Sequence, residues 1–168
     1  MKRKGFTLVE LLVVIAIIAL LMGILMPALS RVRQLAFRLT CGTNLSGIGK
    51  AMLLYSNDYQ DELPRAGGRT STWGQVPNWM AADRYTAFGL GADGSGGTAT
   101  ISSCFYLLVK YTEVTPKSFI CKGDAGTTEF KLSDVSSGTP PANFELIDAW
   151  DFGTLVDSVK HCSYSYHI

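Results

Sequence analysis

Charge is scarce in this chain, and over one long stretch it is almost missing. Asp, Glu, Lys and Arg make up 17% of the 168 residues, against 47% apolar residues. No basic stripe with interleaved aromatics runs through the body, so nucleic acid is not the expected partner. No C-x-x-C pair occurs, and the two histidines, His161 and His167, both lie at the far end, so the ligand spacing of a zinc site is lacking. G-x-S-x-G is absent, and neither histidine can be placed against a serine or cysteine nucleophile by a spacing rule. Gly91–Thr98 has the spacing of a phosphate-binding loop, but Gly97 stands where the phosphate-reaching lysine is needed and no strand feeds the segment. It reads as a loop. Together these absences predict a protein that is not an enzyme and holds no cofactor.

The stretch poorest in charge is N-terminal. Positions 6–29 contain one charged residue, Glu10. About 20 helical residues cross the hydrocarbon of a bilayer, so the run is long enough to span it. Lys2, Arg3 and Lys4 precede it and favour a cytoplasmic N-terminus with the rest of the chain outside, although Arg31, Arg33 and Arg38 follow on the far side. Without the first three, the chain carries 12 basic against 14 acidic residues. A cleaved secretory signal needs a core of about 7–15 residues and a small-x-small cleavage site. This core is longer and no A-x-A triplet follows, so an uncleaved anchor is expected. Behind an export signal, the even count of Cys41, Cys104, Cys121 and Cys162 predicts one or two disulfides, with three full pairings open. Glu10 remains unexplained by an anchor alone. Carboxylates inside a membrane are costly and ordinarily paired, and their default reading is functional.

The run Gly5-Phe6-Thr7-Leu8-Val9-Glu10-Leu11-Leu12-Val13-Val14 resembles the processing and assembly motif of type IV pilins and type II secretion pseudopilins. The resemblance implies that a prepilin peptidase cuts between Gly5 and Phe6 and methylates the new amine on Phe6. It implies that Glu10 pairs with the Phe6 amine of a neighbouring subunit and sets the axial register during assembly. Pro27 sits where many members have a helix-kinking proline. The implied partners are the peptidase, identical or related subunits, the inner-membrane assembly machinery and membrane lipid. The implied location is the inner membrane, single-pass with a periplasmic head, and then a periplasmic or surface filament.

Beyond Pro27 the helix is expected to continue as an amphipathic one. Val32, Ala36 and Leu39 share one stripe, and Cys41, Leu45, Ile48, Met52, Tyr55 and Tyr59 share another. Gly42, Gly47 and Gly49 weaken it or permit close packing. Cys41 to Tyr55, with Asn44-Leu45 inside it, and the later Phe119-Ile-Cys121-Lys-Gly-Asp124 resemble a large bacterial branch of pilin-like proteins. Members usually have proline where this chain has Lys122.

The expected organisation is a leader at 1–5, a transmembrane assembly helix at 6–29, its amphipathic continuation at 30–59, and a head at 60–168. The expected class is α+β, with the long helix packed on a small antiparallel sheet and a long irregular excursion between them. A short helix capped by Ser102 or Ser103 should run to about Tyr111 with Leu107, Leu108 and Tyr111 inward, stopped by Pro116. Strand candidates are 118–121, 127–132, 143–147 and 162–167. Asp124, Asp134, Asp148, Asp151 and Asp157 read as solvated acids. If the head held calcium, Asp124, Asp148 and Asp151 would be the candidates. Trp73, Trp79 and Trp150 read as core fillers, or alternatively as a sugar-binding face. The resembled branch continues past a strand like Ser163–Tyr166 to a late His…Asp-Gly element, so a fragmentary chain is expected. The alternative to a filament subunit is a signal-anchored periplasmic binding protein or enzyme that resembles pilins only in its anchor.

Overall fold

The computed structural model describes residues 7–135 and 139–165. In chain order it contains α1 (Leu8–Asp58), β1 (Thr72–Trp73), α2 (Arg84–Phe88), β2 (Thr98–Ala99), α3 (Ile101–Thr112) and α4 (Leu155–Ser158). Single 3₁₀ turns stand at Pro116–Phe119, Leu132–Asp134 and Leu146–Asp148. The class is α+β, and the chain divides into two compact units, Met1–Leu39 and Thr40–Ile168.

From Leu8 onward the first unit is one helical segment. Leucine, alanine, methionine and β-branched residues follow one another without a turn signal, and α1 continues through Pro27. Every side chain from Leu8 to Ala36 is exposed, and the predicted stripe of Val32, Ala36 and Leu39 is exposed with them. A helix apolar on all sides has no face for water.

In the second unit, α1 supplies the wall on which the head is built. Ile48, Ala51 and Tyr55 are buried, while Leu45 (51% exposed) and Tyr59 (37%) fall outside the seam. The expected stripe repeats every 3.5 residues and the helix turns every 3.6, so its members drift round the axis. Asn44 faces inward instead, and its side-chain N–H donates to the Ile120 carbonyl at 3.0 Å. Cys41 and Cys121 form a disulfide beside that bond. Cys104 and Cys162 stand outside any disulfide, so of the four cysteines one pair is bridged. A Cβ at Gly42, Gly47 or Gly49 would meet nothing within 4 Å. Close packing inside the described chain is therefore not their role.

The head core is aromatic and wraps α3. Tyr106 and Phe152 meet edge to face at 4.8 Å, and Phe152 touches Phe119 at 5.4 Å and Phe130 at 5.8 Å. Leu107 and Leu108 are buried, whereas Tyr111 is 42% exposed and packs on Tyr59. The helix is capped by Thr100, two or three residues earlier than expected: Thr100 and Ser103 form a reciprocal capping box, and α3 ends at Glu113 in a left-handed conformation rather than at Pro116. Pro116 opens the next 3₁₀ turn. Trp79 and Trp150 are buried core residues, and Trp150 donates to the Ala81 carbonyl at 2.8 Å.

The expected antiparallel sheet is replaced by a two-residue parallel pair, Thr72 opposite Thr98 and Trp73 opposite Ala99, lying within the excursion that reads as irregular. None of the four strand candidates is a strand over its described residues. Ser163 N–H does reach the Phe119 carbonyl at 2.9 Å, but Cys121 N–H then donates to the Ser163 hydroxyl at 3.1 Å. A side chain thus takes the place of the carbonyl that would extend a ladder. At 143–147, Glu145 and Asp148 close a reciprocal cap that winds the chain into a 3₁₀ turn. The excursion is fixed by close backbone approach: Gly97 has φ +81°, and a Cβ there would lie 2.5 Å from the Phe88 carbonyl oxygen.

Candidate functional site

The first turn of α1 carries the chemistry that the apolar run lacks. Thr7 immediately precedes the helix and Glu10 is its only first-turn acid. The Thr7 N–H donates to Glu10 Oε2 at 2.8 Å and the Thr7 hydroxyl donates to the same oxygen at 2.7 Å. In return, Glu10 N–H donates to Thr7 Oγ1 at 3.3 Å. This is a reciprocal capping box, in which two otherwise unpaired main-chain donors at a helix start are satisfied by side chains. The negative charge also stands at the positive end of the helix dipole. Within the described residues the carboxylate is held by Thr7, and Oε1 carries no described bond. Gly5 and Phe6, between which processing is expected, lie outside the described residues.

Around this polar turn the surface is continuous hydrocarbon. Leu8 is 77% exposed, and Val9, Leu11 and Leu12 all exceed half. The apolar window of α1 has a mean hydropathy of 3.1 and none of it is buried. From Leu8 to Leu29 the helix rises about 33 Å, which matches a hydrocarbon thickness of about 30 Å.

Among its described residues the head brings no comparable set of acids together. Asp124 caps its own turn through Gly126 N–H at 3.1 Å, and Asp148 accepts from Glu145 N–H at 2.9 Å. Asp157 accepts from the Thr154 hydroxyl at 2.7 Å and faces Lys160 at 3.9 Å. Among the described residues no three His, Cys, Asp or Glu side chains converge as a metal site would require. His161 is buried with Nδ1 at 2.8 Å from the Thr128 carbonyl, and His167 lies outside the described residues.

Two of the acids expected to be solvated are buried instead, Asp157 against Thr154 and, more deeply enclosed, Asp151. It is fully buried, with Oδ2 accepting from Thr100 Oγ1 at 2.6 Å and Oδ1 from Phe152 N–H at 2.8 Å. Desolvation pushes its carboxyl up to about 6 in spite of those bonds. The folded chain therefore holds this proton more tightly than the unfolded chain, whose carboxyl titrates near 3.8. Its contribution to stability is fully present below about pH 3.8 and is lost as pH rises through about 6, a change of about 3 kcal/mol. Chemical unfolding of wild type and Asp151→Asn across that window is expected to show this component in wild type and its loss in the variant.

These features describe a helix long and apolar enough to cross a membrane, starting in a charged cap, and a head that holds one disulfide. The family model described as the prokaryotic N-terminal methylation motif matches residues 1–26, and the chain therefore carries the prepilin-type signature of type IV pilins and pseudopilins. The match ends at Met26, before the head begins. No curated protein and no solved structure matches the chain.

Thr7 is the residue of this site that sequence reading passed over. Its signal was present: Thr-x-x-Glu at the head of an apolar run is the capping-box pattern.

Proposed function

We propose that this chain is a structural subunit of a type IV pilus-like or type II secretion pseudopilus filament. Prepilin peptidase would process it between Gly5 and Phe6, and it would assemble through its N-terminal helix. The observation that carries this reading is the union of the methylation motif over residues 1–26 with a helix that is exposed and apolar on every side. Such a surface is stable in lipid or against other helices and nowhere else. In the membrane, lipid covers it. In a filament, the equivalent helices of neighbouring subunits cover it, so assembly exchanges one apolar environment for another. The head, with its Cys41–Cys121 bridge, then stands on the oxidising side as the filament surface.

Processing also changes the charge balance of the first turn. Cutting before Phe6 removes Lys2, Arg3 and Lys4 and creates an amine four residues before Glu10. Intramembrane charges of opposite sign pair with one another, and the proposed partner of Glu10 is the Phe6 amine of an adjacent subunit. Intact mass and peptide sequencing of the membrane-extracted protein test the processing. The expected product lacks Met1–Gly5 and carries one methyl group on the Phe6 nitrogen. An intact leader, or a cut beyond the apolar run, overturns the assignment.

A further inference from the structure

The head contains an open, largely apolar cavity of about 370 Å³, walled by Trp73, Ile101, Leu155 and Val159, with Thr100 and Ser102 also lining it. Trp73 is 63% exposed and reaches the cavity from β1. The polar part of the lining continues inward as a chain of oxygens. Ser102 Oγ lies 2.9 Å from Thr100 Oγ1, and Thr100 Oγ1 lies 2.6 Å from the buried Asp151 Oδ2. Ser103 N–H donates to Thr100 Oγ1 at 2.9 Å as part of the α3 cap.

A hydroxyl has one proton and two lone pairs. Ser103 N–H occupies one Thr100 lone pair whatever else happens. While Asp151 is ionised it can only accept, so Thr100 donates to it, and the Ser102 proton also turns inward, to the remaining Thr100 lone pair or to the carboxylate itself. Ser102 then points its proton inward and offers the cavity only an acceptor. When Asp151 is protonated, its own O–H donates to Thr100 and fills that second lone pair. The Thr100 proton must then turn to Ser102 Oγ, and the Ser102 proton is released toward the cavity.

We propose that Asp151, hydrogen-bonded within the Thr100–Ser102 hydroxyl pair, acts as a one-proton switch that sets whether Ser102 presents an acceptor or a donor to this cavity. An apolar group bearing a hydroxyl or amide N–H suits the ionised state, and one bearing a carbonyl suits the protonated state.

The surroundings leave this switch to Asp151 alone. No ion pair to it occurs among the described residues. Tyr106 from α3 and Cys162 from the C-terminal segment are the titratable groups that feel its charge. Both are pushed upward, chiefly by burial, Cys162 to about 11, so both stay protonated near neutral pH. Lys110 is committed to the Ile147 carbonyl and the Trp150 ring, and Lys160 to Asp157. Asp148, which bears on Tyr106, is engaged at its own turn.

Carbon-13 NMR of the full chain in detergent micelles, titrated from about pH 8 to about pH 4, tests the switch. The Asp151 carboxyl signal, assigned by its loss in Asp151→Asn, is expected to move with a midpoint near 6. The Ser102 Cβ signal should move with the same midpoint and stay fixed in Asp151→Asn. Ser102→Ala, which leaves the Thr100–Ser103 cap intact, should raise the Asp151 midpoint because the anion loses a donor upstream. An Asp151 that stays ionised throughout overturns the proposal. So does a Ser102 signal that ignores the titration, or a midpoint unchanged by Ser102→Ala.

Discussion

Reducing the Cys41–Cys121 bridge is expected to lower the stability of the head unit by about 4.5 kcal/mol. The two cysteines are 80 residues apart. In the chain-entropy account a loop of that length removes about 15 cal/mol/K from the unfolded ensemble, which gives the figure at room temperature. Single domains are stable by about 5–15 kcal/mol, so a loss of this size removes a large part of the total. Beside the bridge, the Asn44 side chain of α1 donates to the Ile120 carbonyl of the same turn. Guanidinium unfolding of the full chain in detergent, followed by tryptophan emission from buried Trp79 and Trp150, reads the change with and without reductant. Cys41→Ser and Cys121→Ser should each reproduce the reduced curve, and reductant should then add nothing. Cys104 and Cys162 lie outside any disulfide, so a further shift in either variant would contradict a single-bridge head.

The anchor was legible because its physics is local. A charge-poor run of membrane-spanning length, a basic leader and one carboxylate are properties of neighbouring residues, and the helix Leu8–Asp58 follows from them. Helix α3 was legible for the same reason, and its cap was misplaced because Thr100, Ser102 and Ser103 are all competent capping residues. The sheet was not legible. Segments 118–121 and 162–165 do approach, but Ser163 uses its hydroxyl where a strand would use its carbonyl, and that choice is made by tertiary packing. Asp151 shows the limit most clearly. In sequence it is one of five loop acids, and its burial beneath Thr100 depends on contacts 51 residues apart. The disulfide partner of Cys41 was open for the same reason.

Glu10→Ala and Glu10→Gln are both expected to insert in the membrane as wild type does and to yield no filaments above background. The pair of variants separates the cap that Glu10 forms from the charge pair proposed for it. At the third helical position a glutamine retains the capping box, because its side-chain oxygen still accepts from Thr7 N–H. Alanine removes both the cap and the charge. If the cap alone mattered, Glu10→Gln would assemble and Glu10→Ala would not. If the charge pairs with the Phe6 amine of a neighbour, the glutamine variant fails as completely as alanine, since a neutral amide leaves that intramembrane amine unpaired. Thr7→Ala supplies the complementary case: it deletes the hydroxyl that donates at 2.7 Å and keeps the carboxylate. A carboxylate freed from that bond remains able to meet an amine, so this variant should retain assembly with a less ordered first turn. Shearing cells and immunoblotting the released filament fraction against the membrane fraction reads all three. Equal membrane signal with filaments from Glu10→Gln would remove charge pairing from the account and leave Glu10 as a cap.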